Sequence, residues 1–382
     1  MNRIFYFMHI SWFWVKQRPQ YLCEELSRYY DIEVFHLNPL HKSKKLVNNG
    51  DKLPSKINSI YLLPLNKRSK MISWLNKKLS AIYFSYILPG RGYNIYWITH
   101  PILLEFIDVK LFTNGLIVYD CMDDALTEPS VVKSGKSIRL RNLERILVEK
   151  SSLVFCSSDN LKAKILTRYG VNDKCFVCNN GLALNAMNNP DHSAAEYLMS
   201  LFGSGRGYKI ISYVGVISKW MDLRLLIESL NKYNDIIYYL WGPVECEIPK
   251  HERLKCMGTI PKNQVQLVLN NSDMLVMPFV LSDFIESVNP VKIYEYIYSG
   301  TPSVVINYGE MENFSDFLFL YKNDSEYFGY IEMLLSGKLK MKKGKTETME
   351  YLKYCTWENR ASSISQVIDT KINEKVLSDA KI

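Results

Sequence analysis

The stretch NPVKIYEYIYSG, residues 289–300, sets a cation and a carboxylate three positions apart behind a proline. Pro290 suits the start of a helix, where a missing N–H is tolerated and the amides of the first turn stay open to an anion. Lys292 can meet that anion as a point charge. Glu295 lies about one turn further on and shares the face. A carboxylate accepts two hydrogen bonds from a cis-diol such as ribose, so the pattern reads as a receptor for a nucleoside diphosphate. The plain alternative is an exposed i, i+3 ion pair.

Three other stretches carry groups of the right type. In YVGVISKW a glycine, Gly215, ends a strand-like run and precedes a helix-like one, which lets backbone amides approach an anion. In VYDCMDDALTEP three carboxylates, Asp120, Asp123 and Asp124, follow the apolar run GLIVY directly. Crowded like charges raise the pKa of one member, which suits proton abstraction by a general base. A capping aspartate in an acidic loop, or a divalent-metal site, would use the same residues. In SWFWVKQRPQ, Trp12 and Trp14 could stack on a sugar ring, and Lys16 and Arg18 could meet phosphate; loop packing is the alternative.

These groups need a scaffold that gathers loops. The first half alternates strand-like runs (RIFYFMHI, IEVFHL, INSIYLL, NIYWIT, GLIVYD, SLVFCSS, KCFVC) with helical ones, of which IRLRNLERILVEK is clearest. Residues 185–208 are polar and end Gly-rich, as a connection would. Their glycines precede a strand, whereas a dinucleotide loop follows one, so they form no phosphate loop. The alternation then restarts with KIISYVG, MDLRLLIESLNKY, DIIYYLWG, LKCMG, KNQVQLVLNN, DMLVMPF and PSVVI. Repeated βα units predict α/β architecture with two doubly wound, Rossmann-like domains, at residues 1–184 and 209–345, followed by a helical segment over 346–382. Ligands of open α/β sheets bind beyond the carboxyl ends of the strands, where all four stretches fall.

Composition bounds the rest. The 382 residues are 47% hydrophobic and 23% charged, ordinary for a globular protein with two cores. The eight cysteines are scattered, and the lone CxxC at Cys175 and Cys178 lies in an alternating run without a partner pair, so buried strand cysteines of a reduced cytoplasmic protein are expected rather than a metal site. Residues 1–10 lack the small-residue cleavage site of a leader, and no apolar run approaches the ~20 residues of a membrane span. The net charge of +8 is concentrated in residues 42–92, where MISWLNKKLSAIYFSYILPG mixes lysines with aromatic and aliphatic residues. Such a segment can lie peripherally on an anionic membrane surface, here the inner face of the cytoplasmic membrane, or pack as a core helix with a solvated lysine edge. No nucleic-acid-binding module is present, and nucleic acid is not an expected partner.

Taken together, WVKQRPQYL, YDCMDD, VFCSSDNL, NNG, YVGVISKWMDLRLL, LWGP, MGTIPKNQV, MPF, NPVKIYEYIYSGTPSVV and WENR resemble, in order and over nearly the whole chain, the two-domain glycosyltransferases of the GT-B fold. The likeness is to the bacterial group that includes teichuronic-acid-type transferases and the xanthan glucuronosyltransferase. It implies two Rossmann-like domains facing a central cleft. The first domain would bind a glycan or lipid-linked acceptor for a surface polysaccharide, through Trp12, Trp14, Lys16, Gln17 and Arg18. The second would bind a nucleotide-sugar, UDP-linked by preference, through Gly215, Lys219, Trp241, Gly242, Pro243, Asn289, Pro290, Val291, Lys292 and Glu295. The C-terminal helix would return to the first domain.

By the same resemblance Lys292 serves the diphosphate, Glu295 the ribose, and Asp124 or Asp123 the acceptor proton, with Asp124 preferred. The retaining members of the largest GT-B family carry two glutamates eight apart, but the position eight before Glu295 is Ser287, and Glu286 is one out of register. They also carry a lysine where this chain has Met221, two residues after Lys219. These departures imply an inverting transfer; with Lys292 and the helix amides stabilising the leaving UDP, no metal or other cofactor is expected. A non-catalytic nucleotide- or glycan-binding protein of the same fold is the alternative; a sugar epimerase would need paired His and Glu residues that the sequence does not show.

Overall fold

The computed structural model describes residues 2–14, 16–39, 54–63, 70–88, 93–184, 202–203 and 207–379. The chain divides into two compact units: residues 1–180 together with 357–382, and residues 181–356. Of the connection expected over 185–208, residues 185–201 and 204–206 lie outside the described residues.

The first unit runs β1 (Arg3–Met8), α1 (Arg18–Leu26), β2 (Asp31–Pro39), β3 (Lys56–Leu62), α2 (Lys70–Ile87), β4 (Asn94–Ile98), β5 (Gly115–Cys121), α3 (Pro129–Lys133), α4 (Ser137–Lys150), β6 (Leu153–Cys156), α5 (Asp159–Tyr169) and β7 (Cys175–Val177). Its sheet has the order β3-β2-β1-β4-β5-β6-β7, and every neighbouring pair is parallel. β4 is buried at all five positions, which only helices on both faces of a sheet allow. Tyr6 of β1 pairs in register with Trp97 of β4, and their rings stack 5.5 Å apart.

The second unit repeats the plan with β8 (Lys209–Val214), α6 (Leu223–Lys232), β9 (Ile236–Trp241), β10 (Leu254–Gly258), α7 (Val265–Asn270), β11 (Met274–Met277), α8 (Val291–Ser299), β12 (Ser303–Ile306), α9 (Gly309–Glu312), β13 (Phe319–Tyr321), α10 (Asp324–Leu335) and α11 (Lys345–Lys353). The sheet order β10-β9-β8-β11-β12-β13 is the same winding, all parallel. Each sheet therefore has a switch point where the crossovers reverse direction, between β1 and β4 in one unit and between β8 and β11 in the other.

α12 (Trp357–Asp379) belongs to the first unit. Its buried seam, Trp357, Ala361, Ile364, Ile368 and Ile372, steps by three and four residues. Trp357 stacks on Tyr21 of α1 at 5.2 Å, and the Tyr30 hydroxyl donates to Asp369 at 3.1 Å.

Candidate functional site

In the second unit the carboxyl edge is shaped by glycine. Gly215, directly after β8, has φ 150°, and a Cβ there would collide with the Lys292 ammonium. Gly242, directly after β9, has φ 143°, and a Cβ there would run into the Gly215 carbonyl. Both backbones lie in the region that side chains rarely adopt. The Gly215 N–H donates to the Trp241 carbonyl and the Gly242 N–H to the Gly258 carbonyl, each at 2.8 Å. The ends of β8, β9 and β10 thus close on one another through bare backbone.

Lys292 reaches this edge from α8. Its Nζ donates to the Tyr213 hydroxyl at 2.8 Å, while that hydroxyl donates onward to the Val216 carbonyl at 2.9 Å. The ammonium lies 4.5 Å from the Tyr213 ring centre and 5.4 Å from that of Phe279. Tyr213 belongs to β8 and Phe279 follows β11, so Lys292 spans the switch point of its sheet. Burial, only partly offset by Glu295 and reinforced by the charge of Lys262, brings its pKa down to about 8. Among the described residues no carboxylate lies within ion-pair distance of it.

α8 is built to hold that pose. Asn289 is buried just ahead of it; its amide donates to Glu310 at 2.7 Å and its carbonyl oxygen accepts from the Tyr294 hydroxyl at 3.1 Å. Pro290 precedes the first turn without a side-chain cap, and Gly300, at φ 72°, ends the helix. Glu295 is buried and ion-paired with Lys262, from the short 3-10 turn Lys262–Gln264 after β10. Val291 is half-buried at the helix start.

The remaining residues expected on this side are placed differently. Lys219 is exposed on a turn. The Trp241 ring is buried in a core cluster with Ile237 and Tyr239, so its carbonyl faces the glycine edge while its side chain does not. Pro243 contributes a carbonyl that accepts from the Ile217 N–H at 2.9 Å. Ser287, at the position of the absent second glutamate, is buried and bonded to the Asp283 carbonyl; Met221 is core.

In the first unit the three aspartates after β5 separate by environment. Asp120 is fully buried and accepts from Arg18 Nε at 2.9 Å and from a terminal guanidinium nitrogen at 2.8 Å. Asp124 is buried and chelated by Arg168 at 2.8 and 2.7 Å, with Lys164 at 3.2 Å. Burial pushes its pKa up, but Arg168 and Lys164 outweigh it and hold it below the ordinary value. Asp123 is half-buried and pairs with no cation among the described residues. Burial, with Glu128, Asp120 and Asp124 nearby and only Arg18 opposing, raises its pKa to about 7. Asp124, the preferred base on sequence, is thus held in an ion-pair network, while among the described residues Asp123, the other candidate, is not.

The N-terminal loop corrects an expectation. Arg18 is 2% exposed, bound to Asp120 and to the carbonyl of Cys178 at 2.7 Å, so it holds the sheet edge together and does not face phosphate. Trp12 is buried, Trp14 half-buried. Lys16 pairs with Glu24 and lies 4.6 Å from the Tyr21 ring centre. Gln17 caps α1, its N–H donating to Gln20 at 3.1 Å.

Two residues without a sequence signal fill the first unit's switch point. His9 follows β1, His100 follows β4, and their half-buried rings lie 4.5 Å apart. His100 Nδ1 accepts the Ile102 N–H at 3.0 Å, which fixes a neutral ring with its proton on Nε2. His9 Nδ1 lies 3.1 Å from the Thr99 hydroxyl. Burial lowers the pKa of His9 to about 4; burial and the charge of His9 lower that of His100 as well. Both are therefore uncharged at neutral pH.

Cys175 and Cys178 are buried free thiols, and among the described residues no His, Cys, Asp and Glu group is placed to hold a metal ion. Among them, too, no helix is long and apolar enough to cross a membrane. Of the basic stretch 42–92, residues 42–53, 64–69 and 89–92 lie outside the described residues.

No protein-family model matches the chain. It is similar to sucrose-phosphate synthase from Thermosynechococcus elongatus at 14% identity, with a TM-score of 0.71 over 98% of this chain and 100% of the other. It is likewise similar to Anabaena HepE in complex with UDP-glucose, at 14% identity and a TM-score of 0.60 over the full length of both. These likenesses establish the GT-B fold. In sequence it matches TuaH of Bacillus subtilis (strain 168), named for teichuronic acid biosynthesis as a glycosyltransferase, at 21% identity over 215 residues. That match spans about half of either protein, 52%.

Proposed function

We propose that this protein is a glycosyltransferase that moves a sugar from a nucleoside-diphosphate sugar, UDP-linked, to a hydroxyl of a lipid-linked or polysaccharide acceptor for a bacterial surface glycan. The observation that carries the reading is Lys292 spanning the switch point beneath Gly215, with Glu295 one turn along the same helix. That arrangement suits a diphosphate followed by a ribose. HepE, a structural neighbour, is named as a complex with UDP-glucose, and TuaH supports the pathway.

In the reaction we propose, Asp123 accepts the proton of the acceptor hydroxyl. The oxygen attacks the anomeric carbon, and the bond from that carbon to the diphosphate breaks with its electron pair leaving on UDP. Lys292 and the amides opening α8 stabilise the developing charge, which requires no metal. Attack opposite the diphosphate inverts the anomeric centre. The neutral Nε2–H of His100 is suited to an uncharged sugar hydroxyl.

Calorimetric titration with UDP, followed by an assay of UDP-sugar hydrolysis over a donor panel, tests the reading. Micromolar UDP binding with turnover of one donor is expected. Binding without turnover of any donor would identify a non-catalytic binder, and no UDP binding would remove the reading altogether.

The membrane part of the proposal rests on α2. The helix turns Asn76, Ser80 and Phe84 inward, and presents Met71, Trp74, Leu75, Leu79, Ile82, Tyr83 and Tyr86 to solvent beside Lys77 and Lys78. An outer face larger and more apolar than the inner one wants a cover. Residues 42–92 carry eleven Lys and Arg against one Asp, more than the whole chain's net +8, so the basic character resides there. An anionic bilayer surface supplies both complements. Co-sedimentation with phosphatidylglycerol vesicles is expected and should be lost in Trp74→Ser/Tyr86→Ser; equal recovery with neutral vesicles would refute the charge component.

A further inference from the structure

We infer that Lys262 is a counter-ion that Glu295 exchanges for a ligand's ribose, so that this lysine sets the preference of the second unit for a nucleoside diphosphate over the bare nucleoside. The inference rests on the nucleotide reading above. Glu295 is fixed: it sits in the middle of α8, and its side chain is 7% exposed. A carboxylate at that depth needs a partner, since an unpaired one is heavily penalised. The partner is a long, flexible chain from a three-residue 3-10 turn, 35% exposed at its side chain. Its ammonium can regain water by swinging outward, while the carboxylate cannot follow.

The charges explain why the exchange favours a diphosphate. Two ammoniums, Lys262 and Lys292, share one carboxylate, and the charge of Lys262 acts on Lys292. Among the described residues, the ammonium of Lys292 hydrogen-bonds a phenol oxygen, that of Tyr213, and no carboxylate. Between Lys262, Lys292 and Glu295 the positive charges outnumber the negative by one. A ribose that takes Glu295 with its two hydroxyls frees Lys262, which leaves two cations facing the approaching ligand. A nucleoside offers them nothing. A diphosphate offers charge to both, so the cost of parting the ion pair is recovered only when phosphate is present.

Lys262→Met, which keeps the aliphatic stem and removes the charge, separates these effects by calorimetry with UDP and uridine. UDP should bind about tenfold more weakly and uridine about threefold more tightly, shifts of opposite sign. A supporting role in folding would weaken both ligands together. Lys262→Arg should leave both affinities within about threefold of the parent. Parallel loss of both ligands in Lys262→Met, or no change in either, overturns the inference while leaving the nucleotide site standing. Absence of UDP binding by the parent protein removes the site itself.

Discussion

The two units wind their sheets in the same order, yet each sets a different chemistry at its switch point. The second places an ammonium between the rings of Tyr213 and Phe279. The first places two uncharged imidazoles side by side, His9 and His100, held neutral partly by a backbone N–H that occupies Nδ1. Strand order decides where a ligand can sit. The side chain delivered there differs between the units, and the proposed ligands differ with it: an anion in one, a hydroxyl in the other. In the first unit the charges are present but mutually engaged, Arg18 with Asp120 and Arg168 with Asp124. In the second, Lys292 has no contacting anion among the described residues.

The sharpest way to break this contrast is at Asp123. Asp123→Asn should lower transfer about a thousandfold and leave UDP affinity within twofold, because the proposed base and the proposed nucleotide site belong to different units. Asp124→Asn should instead act on folding: it strips a buried partner from Arg168 and should lower the melting temperature by several degrees, with activity falling only as the protein unfolds. Normal melting of Asp124→Asn with abolished transfer would return the catalytic role to Asp124.

A smaller effect is expected at Lys292. Lys292→Met should weaken UDP about a hundredfold, ~2.7 kcal/mol. The pH dependence should then divide by unit. UDP affinity should be flat through pH 7 and fall about tenfold per unit above pH 8, as Lys292 loses its proton. The kcat/KM for transfer should rise through pH 7, as Asp123 loses its own. Lys292→Met should abolish the alkaline decline in UDP binding. A decline that survives the substitution would assign it elsewhere.

The smallest effect concerns stability, and the signs can be worked out. Asp123 has its folded pKa raised to about 7, so its contribution is complete below the unfolded value and is lost as pH rises through 7. Lys292 has its folded pKa lowered to about 8, so its contribution is complete above the unfolded value and is lost as pH falls through 8. Between pH 7 and 8 both groups oppose folding. Asp123→Asn and Lys292→Met should each raise the melting temperature slightly at pH 7.5, opposite to Asp124→Asn. Scanning calorimetry of the three variants checks the signs.

Much of the scaffold was legible because β1 through β12 each coincide with a strand-like run in the sequence, dense and apolar where the strand is buried throughout, as in β4, β9 and β11, and thinner in the edge strands β3 and β10. β13, three residues long, was too short to read. Helix α8 was legible because Asn289 to Gly300 is a local pattern with its own start and stop. The ion pairing of the aspartates was not. Whether Asp123 or Asp124 stays free depends on Arg168, 44 residues beyond Asp124 and delivered by α5. Arg18 read as a phosphate ligand because its true partner, Asp120, is 102 residues away. His9 and His100 meet only because β4 returns beside β1. The Lys262–Glu295 pair likewise needs the fold to bring a turn after β10 onto α8.

The residues that open and close the second unit are hydrogen-bonded neighbours: the Leu182 N–H donates to the Cys355 carbonyl at 2.7 Å. Topologically, residues 181–356 are a cassette interrupting a host whose first and last segments belong together. Such a cassette can be exchanged with both chain ends staying on the host, so one unit can change among descendants while the other is inherited unchanged.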